Sequence, residues 1–484
     1  MKNNAVFANI LTLGVASIVD YAIQLLLPIA MVRLLDGDAY AQYRMLFLMV
    51  NTAMALAPMY MPQALFYFLP KAESNLEKAK YIGNTVLFLF ITGCITALLI
   101  NPWLPIIPDK FFGITRVQVL IPLFLLVWVL SSLLDSLPNA NNRIRCQAGI
   151  MLSMSILRVS CIVTAAWLTG NVECVFFTLC VFIALKTMVL LIFIRYEIKP
   201  YVMRFDSGVF KIQLKYSIPF GISAALYMLK IQADQWIAAY LFVPFEYAVF
   251  SFGIYVAPLM NIMRNAINNA ALPTMSKAYS AGEYSEVIMQ FKKVNFIMAC
   301  FILPLLAVLY VTSEHIIRFL FTETYIEAAS VMRIYIIGFI IQCLESTSIL
   351  RLCNAGKFSL KLNAFLLPFA IFLDFVGARY GGIQGAALGS VITLYIGELI
   401  NLKKSASAMR VSFYRIIDWP SWLALLLAAI VTGCAGIWLD NYLKLDSLMK
   451  GIVVGLSMLL IYAALFSVKY VIGFLKKQYR GKQL

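Results

Sequence analysis

Asn261, Arg264, Asn265 and Asn268 stand at i, i+3, i+4 and i+7 within one apolar run. Those intervals place them on one helical face, so a cation sits among three carboxamides. Such a stripe can hydrogen-bond sugar hydroxyls and meet a phosphate through the guanidinium fork. It can equally serve as glue between two helices. Lys230 and Asp234 lie four residues apart, on one face with Tyr227. They form either a mutually neutralised pair or a cation for diphosphate beside a carboxylate that exchanges a proton or Na⁺. Ser17, Asp20 and Gln24 follow at i, i+3 and i+7 in the first run, which makes Asp20 a second coupling candidate and Gln24 a candidate substrate ligand. Gln342, Glu345 and Ser346 share another face, with Glu345 as the third coupling candidate, and Arg158 stands in a further run. Each of these lines a cavity or belongs to a buried pair. Lys186, Asp135 and Arg351 fall nearer run ends, where snorkelling accounts for them.

The elements that carry these residues are hydrophobic to a degree that decides their solvent. The chain has 484 residues, 62% of them hydrophobic and only 13% charged, with a mean hydropathy of +0.86. A soluble protein of this length could not cover so much apolar surface. Runs of roughly twenty apolar residues cross a bilayer as helices, and about fourteen are predicted, from 9–33 to 448–474. The polar stripes must then face protein or water, because lipid cannot satisfy them. The connections are short, so no soluble catalytic domain is expected. Met1-Lys2-Asn3-Asn4 leads into a run too long for a cleavable signal, and the first span is expected to remain. Pro28, Pro58, Pro62, Pro258 and Pro368 lie inside spans as plausible hinges.

A formal net charge of +16 would suggest nucleic acid on a soluble protein. Here Lys and Arg concentrate in alternate connections, as a topology signal does. The heaviest are 195–215 (Arg195, Lys199, Arg204, Lys211, Lys215) and the tail (Lys469, Lys476, Lys477, Arg480, Lys482). Both termini are thus predicted to be cytoplasmic, which an even number of spans requires, and nucleic acid is not an expected partner. Nine scattered Cys without a CxxC pair, and His315 as the single histidine, argue against a metal centre. No GxxxxGK[ST] is present, so ATP hydrolysis through a phosphate-binding loop is not expected. No cofactor is predicted beyond H⁺ or Na⁺ as a coupling ion.

An internal repeat organises the chain. Tyr40-Ala41-Gln42-Tyr43 precedes span 2 and Tyr247-Ala248-Val249-Phe250 precedes span 8. Both spans end in Leu-Pro (Leu69-Pro70 and Leu272-Pro273), and each is followed by a polar segment. Spans 1–6 therefore read as a parallel copy of spans 7–12. The predicted domains are a six-helix lobe at 1–205, a second at 206–404, and two additional helices with a basic tail at 405–484.

These segments bear a family resemblance. Leu34 to Tyr43 (LLDGDAYAQY) is similar to the turn after span 1 of the polysaccharide flippases, within the multidrug/oligosaccharidyl-lipid/polysaccharide flippase superfamily. Asp234-Gln235-Trp236-Ile237, leading to Glu246 through Phe250, resembles the family's span-7 Asp and the turn that follows it. Phe321 to Met332 resembles the entry to span 10, and Tyr380 to Ala387 (YGGIQGAA) the opening of span 12. Ala41 and Ala248 stand where the family often has Gly. The resemblance covers about residues 9–402. It implies an all-α membrane protein with two six-helix lobes around a central cavity, and a cargo of the undecaprenyl-diphosphate-sugar type. Flipping of that lipid-linked oligosaccharide to the outer leaflet of the bacterial inner membrane follows as the expected function, without enzymatic chemistry and with other polysaccharide-assembly proteins as further partners. A drug–cation antiporter on the same fold and a membrane-bound glycan polymerase are the alternatives.

Overall fold

The computed structural model describes residues 2–104, 107–108, 111 and 118–480, apart from the side chains of 2–14, 266, 269–270 and 467–480. Lys482 and the side chains of the other basic residues of the tail lie outside the described residues. Among the described residues there are helices and connections but no strands. That is the arrangement an apolar chain needs where water is absent, because a helix satisfies its own backbone.

The chain divides into two compact units, residues 1–248 and 249–484. The first contains α1 (Lys2–Leu34), α2 (Gly37–Leu56), α3 (Met61–Phe68), α4 (Asn75–Leu99), α5 (Leu120–Ser131), the single turn α6 (Leu137–Ala140), α7 (Ile144–Thr169), α8 (Val172–Glu197) and α9 (Ser207–Leu241). Helix α10 (Pro244–Gly253) contains the boundary. The second unit continues with α11 (Ala257–Ser280), α12 (Tyr284–Val311), α13 (Ser313–Phe321), α14 (Ala328–Gln342), α15 (Ser348–Leu352), α16 (Gly356–Ala408), α17 (Trp419–Tyr442) and α18 (Ser447–Arg480). In the first unit α1 packs along α7, α4 along α5, and α9 against α2, α3 and α4. In the second, α12 packs against α11, α14, α17 and α18, and α14 lies along α16.

Among the described residues, ten helices are long and apolar enough to cross a membrane, or eleven if α2 and the bent segment after it count as one span. This is fewer than the fourteen segments expected, for three physical reasons. The 53-residue α16 runs through two expected spans. Helix α14 has 15 residues and ends at a break. Helix α9 is diluted by Lys230, Gln232, Asp234 and Gln235.

Local sequence explains the ends and interruptions. Asp36 caps α2 by accepting from Ala39 N at 2.7 Å, and Ser74 caps α4 by accepting from Glu77 N at 3.2 Å. Tyr40 and Tyr247, the repeated tyrosines, are both completely buried. Each repeated span is interrupted near a proline. The first breaks between α2 and α3, with a bend of 42°, and Pro58 lacks the N–H that would bond the Met54 carbonyl in a continuous helix. The second breaks between α10 and α11, with Pro258 in the first turn of α11. The YGGIQGAA segment turns the chain within α16: Gly381 and Gly382 leave helical geometry, and Gly382 has φ +58, a conformation that glycine adopts without steric cost. The arms then meet backbone to backbone. A Cβ on Gly377 would lie 2.1 Å from the Gly385 carbonyl oxygen.

The basic connection before α9 is clasped to α4. Lys80 Nζ lies 2.8 Å from Asp206 Oδ2. Asp206 N donates to Asn84 Oδ1 at 3.0 Å, and Asn84 Nδ2 donates to the Asp206 carbonyl and to Gln213 Oε1, both at 3.2 Å.

Candidate functional site

In the first unit the α1–α7 contact sets Asp20. Its Oδ2 accepts from Gln24 Nε2 at 2.7 Å, and its Oδ1 accepts from the Ser155 hydroxyl of α7. The i, i+4 spacing of Asp20 and Gln24 thus becomes a hydrogen bond, and Ser155 supplies the partner from the neighbouring helix. One turn beyond Ser155, Arg158 is half-buried, and its Nε has no hydrogen-bond partner among the described residues. Its charge and that of Arg44 act on the buried Tyr43.

On α9, Asp234 is only 3% exposed and its Oδ1 accepts from Gln235 N at 2.6 Å. Lys230 Nζ lies 5.0 Å from the centre of the Tyr227 ring, within the range of a cation–π contact. Further along, Trp236 Nε1 donates to Thr52 Oγ1 at 2.8 Å, and Thr52 Oγ1 is bonded to the Gln232 carboxamide at 2.8 Å. This network joins α9 to α2.

Snorkelling does not describe Lys186 or Asp135. Lys186 is directed inward, with its side chain only 12% exposed, and its Nζ lies 2.8 Å from Asp135 Oδ2. The two are 51 residues apart, on α8 and on the turn that follows α5, so no helical spacing relates them.

The second unit builds a polar cluster around the α14–α15 break. Arg264, at 13% side-chain exposure, places Nη2 3.8 Å from Glu398 Oε1 of α16, and its Nε has no hydrogen-bond partner among the described residues. Asn261 and Asn265 are exposed on α11 beside it, while Asn268 is buried and donates to Glu345 Oε2. The stripe read from the sequence therefore has an accessible end at Asn261 and Asn265 and a bonded end at Asn268.

Glu345 does not share a helical face with Gln342, because the helix stops between them. Its Oε1 accepts from Thr347 N and Oγ1, each at 2.8 Å, and from Ser348 N at 2.7 Å and Ser348 Oγ at 3.0 Å. Its own N–H donates to Asn295 Oδ1 of α12 at 2.6 Å. The Glu345 carboxylate thus caps the buried start of α15. Ser346 donates to Glu398 Oε2, and Ser405 Oγ donates to the Ser346 carbonyl at 2.8 Å.

Two carboxylates of this unit were not singled out from the sequence. Glu398 faces Arg264, and Asp374 is fully buried in α16. Both stand inside apolar runs, so the rule that drew attention to Asp20 and Asp234 would have found them. Outside the spans, the Lys80 ammonium hydrogen-bonded to Asp206 holds that carboxyl below the usual carboxylate range, helped by the Val209 N–H.

The architecture is shared with known transporters. The lipid II flippase MurJ, in its inward closed conformation, aligns with a TM-score of 0.73 at 13% identity, over 95% of this chain and 99% of that one. An inward-facing multidrug resistance MATE family transporter of the MOP superfamily gives 0.63 at 12% identity, over 83% and 98%. A MOP superfamily transporter from Pyrococcus furiosus Vc1 gives 0.56 at 12% identity, over 83% and 95%. At these identities the likeness is one of fold. No curated protein matches the sequence. The family model described as polysaccharide biosynthesis protein matches residues 30–330, and the chain, a multi-pass membrane protein of all-α transporter fold, belongs to that family.

Proposed function

We propose that this protein flips a polyprenyl-diphosphate-linked oligosaccharide from the cytoplasmic to the outer leaflet of the bacterial inner membrane, for cell-surface polysaccharide assembly. The observation that carries the reading is the face of α11 on which the largely buried Arg264 stands between the exposed Asn261 and Asn265. A guanidinium among carboxamides matches a cargo that joins phosphate to sugar. Lys230, Arg158 and Gln24 complete the proposed substrate set. The MATE likeness would also suit a drug–cation antiporter, but an organic cation calls for acidic and aromatic partners rather than an arginine.

The protein acts as a secondary transporter and performs no bond chemistry on its cargo. With the cell interior negative, export of each negative charge gains about 2.3 kcal/mol per 100 mV. A proton or Na⁺ entering through Asp20, Asp234 or Glu345 would add to that drive. Movement of one six-helix repeat, 1–205, against the other, 206–404, supplies alternating access, with 405–484 as an addition. Both termini are cytoplasmic, so reporter fusions after residues 205 and 445 read inside and outside respectively. The decisive experiment reconstitutes the purified protein in liposomes with a fluorescent polyprenyl-diphosphate oligosaccharide in one leaflet, and follows its arrival in the other. Transfer no faster than in protein-free liposomes, under either a proton or a Na⁺ gradient, removes the flippase reading.

A further inference from the structure

We infer that the first unit contains a separate glycan pocket at the α2–α3 break, which takes a hydroxylated pyranose of the cargo and not its diphosphate. The inference rests on the flippase reading and divides the headgroup between two kinds of site. The pocket has a volume of about 470 Å³, within the roughly 300–1,000 Å³ of small-molecule sites. Its walls come from the end of α2, the break, α3, the turn after α5, and α9.

The break itself argues for a wet, functional cavity. Irregular backbone at membrane depth persists only where protein buries it or where it lines a water-filled space. Met54 lines the pocket, and its carbonyl loses the ordinary helical donor at Pro58. Met59 and Tyr60 both hold positive φ, 42° and 64°. Non-glycine residues adopt that geometry at an energetic cost, and such residues cluster at ligand sites.

The lining chemistry selects the ligand. Asn51, Gln63, Ser132, Ser136, Asp135 and Gln232 provide carboxamides, hydroxyls and a carboxylate, a mixed set of donors and acceptors suited to vicinal hydroxyls. Asn51 and Gln63 are exposed and make no side-chain hydrogen bond with the described residues, so helix–helix adhesion does not account for them. Gln232 is engaged at one end of its carboxamide by Thr52, which Trp236 fixes in turn, and this holds the other end in place. Tyr60, stacked on Phe220 with ring centres 5.3 Å apart, offers an aromatic face for the C–H side of a sugar ring. Asp135 supplies the single formal charge among the described lining residues, and Lys186 neutralises it at 2.8 Å. Among the described residues the lining holds no cation, and such a lining is unsuited to a diphosphate.

The test compares two lipids on the full-length protein in nanodiscs: the polyprenyl-diphosphate oligosaccharide extracted from cells that make this glycan, and undecaprenyl diphosphate without sugar. The double variant Asn51→Ala with Gln63→Ala should bind the glycosylated lipid about tenfold more weakly, as expected for the loss of two neutral hydrogen bonds. Its affinity for the bare diphosphate should stay within about twofold of the parent, below the effect of a single hydrogen bond. Gln63→Glu, nearly isosteric, should produce part of that selective loss, with the same thermal unfolding as the parent. Arg264→Ala should weaken both lipids. Equal loss for both lipids in the pocket variants, or no loss for either, overturns the glycan pocket and leaves the flippase reading standing. Failure of the unmodified protein to bind either lipid overturns the flippase reading and this inference with it.

Discussion

Asn268 of α11 donates its carboxamide hydrogen to the carboxylate of Glu345, at the break between α14 and α15. The bond ties a helix that carries the candidate cargo face to the start of a second helix, α15, which the same carboxylate caps. Four further donors from Thr347 and Ser348 converge on the same carboxylate, so the site has the character of an anchor.

Glu345→Ala should therefore destabilise the protein by about 3 kcal/mol or more, because it strands the donors of Asn268, Thr347 and Ser348 that converge on its carboxylate. Glu345→Gln should fall between the two. Thermal unfolding in detergent reads the difference. If Glu345 couples transport instead, Glu345→Ala will melt like the parent protein and lose only its response to an ion gradient.

Arg264→Ala should weaken binding of the lipid-linked oligosaccharide by roughly 10- to 150-fold, the range for a hydrogen bond to a charged group. The protein should still reach the membrane at normal level. Arg264→Lys should retain part of the activity, since a point charge keeps the attraction and loses the fork. Normal glycan export by Arg264→Ala would reduce the α11 face to packing.

Asp20 and Asp234 are separated by a pair of substitutions. A coupling carboxylate must change its protonation or ion occupancy during transport, so Asp20→Asn or Asp234→Asn should abolish gradient-driven export at normal protein level. If Asp234 serves only to neutralise Lys230, the single Asp234→Asn change should lower protein level, and Lys230→Met with Asp234→Asn should restore both level and export. Full export by that double variant leaves Asp20 as the coupling candidate of the two. Glycan export in cells, read alongside ion-dependent uptake in vesicles, supplies the comparison.

Much of this architecture could be read from residue order, because membrane helices announce themselves by length and apolarity. The Tyr40 and Tyr247 segments were legible as a recurring pattern, and both begin interrupted spans. What could not be read is where a helix stops inside an apolar run. Counting i, i+3 along an unbroken span put Glu345 on a face with Gln342, whereas the chain leaves helical geometry between them and turns Glu345 into a cap. The partnership of Lys186 with Asp135 was hidden for a related reason: 51 residues separate them, and no periodicity links distant helices. The same limit hid Ser155 as the partner of Asp20. Glu398 and Asp374 were legible as carboxylates in apolar runs; their neighbours were not.

The Asp206 clasp should show an acid limb. Its carboxyl titrates below the normal range because Lys80 and the Val209 N–H favour the charged form. The clasp is thus complete above the unfolded aspartate pKa of about 3.9. It weakens as pH falls from there through the lower folded value. Limited proteolysis of the 198–206 connection should accelerate over that window, and Asp206→Asn should be cleaved readily at every pH. A parent protein cleaved equally fast at pH 7 and pH 3 would show that the clasp carries no weight.

The glycine contact within α16 bears on how this part of the molecule can move. Between most helices a layer of side chains can slip from one rotamer to another and let the pair shear. Gly377 and Gly385 leave no such layer, since each occupies the space in which a Cβ of the other would stand. The two arms of α16 are therefore meshed at the backbone, and any relative sliding would have to pass carbonyl over carbonyl. Whatever displacement transport demands of the second unit, the hairpin should travel as one piece, with bending left to its outer ends and to Pro368.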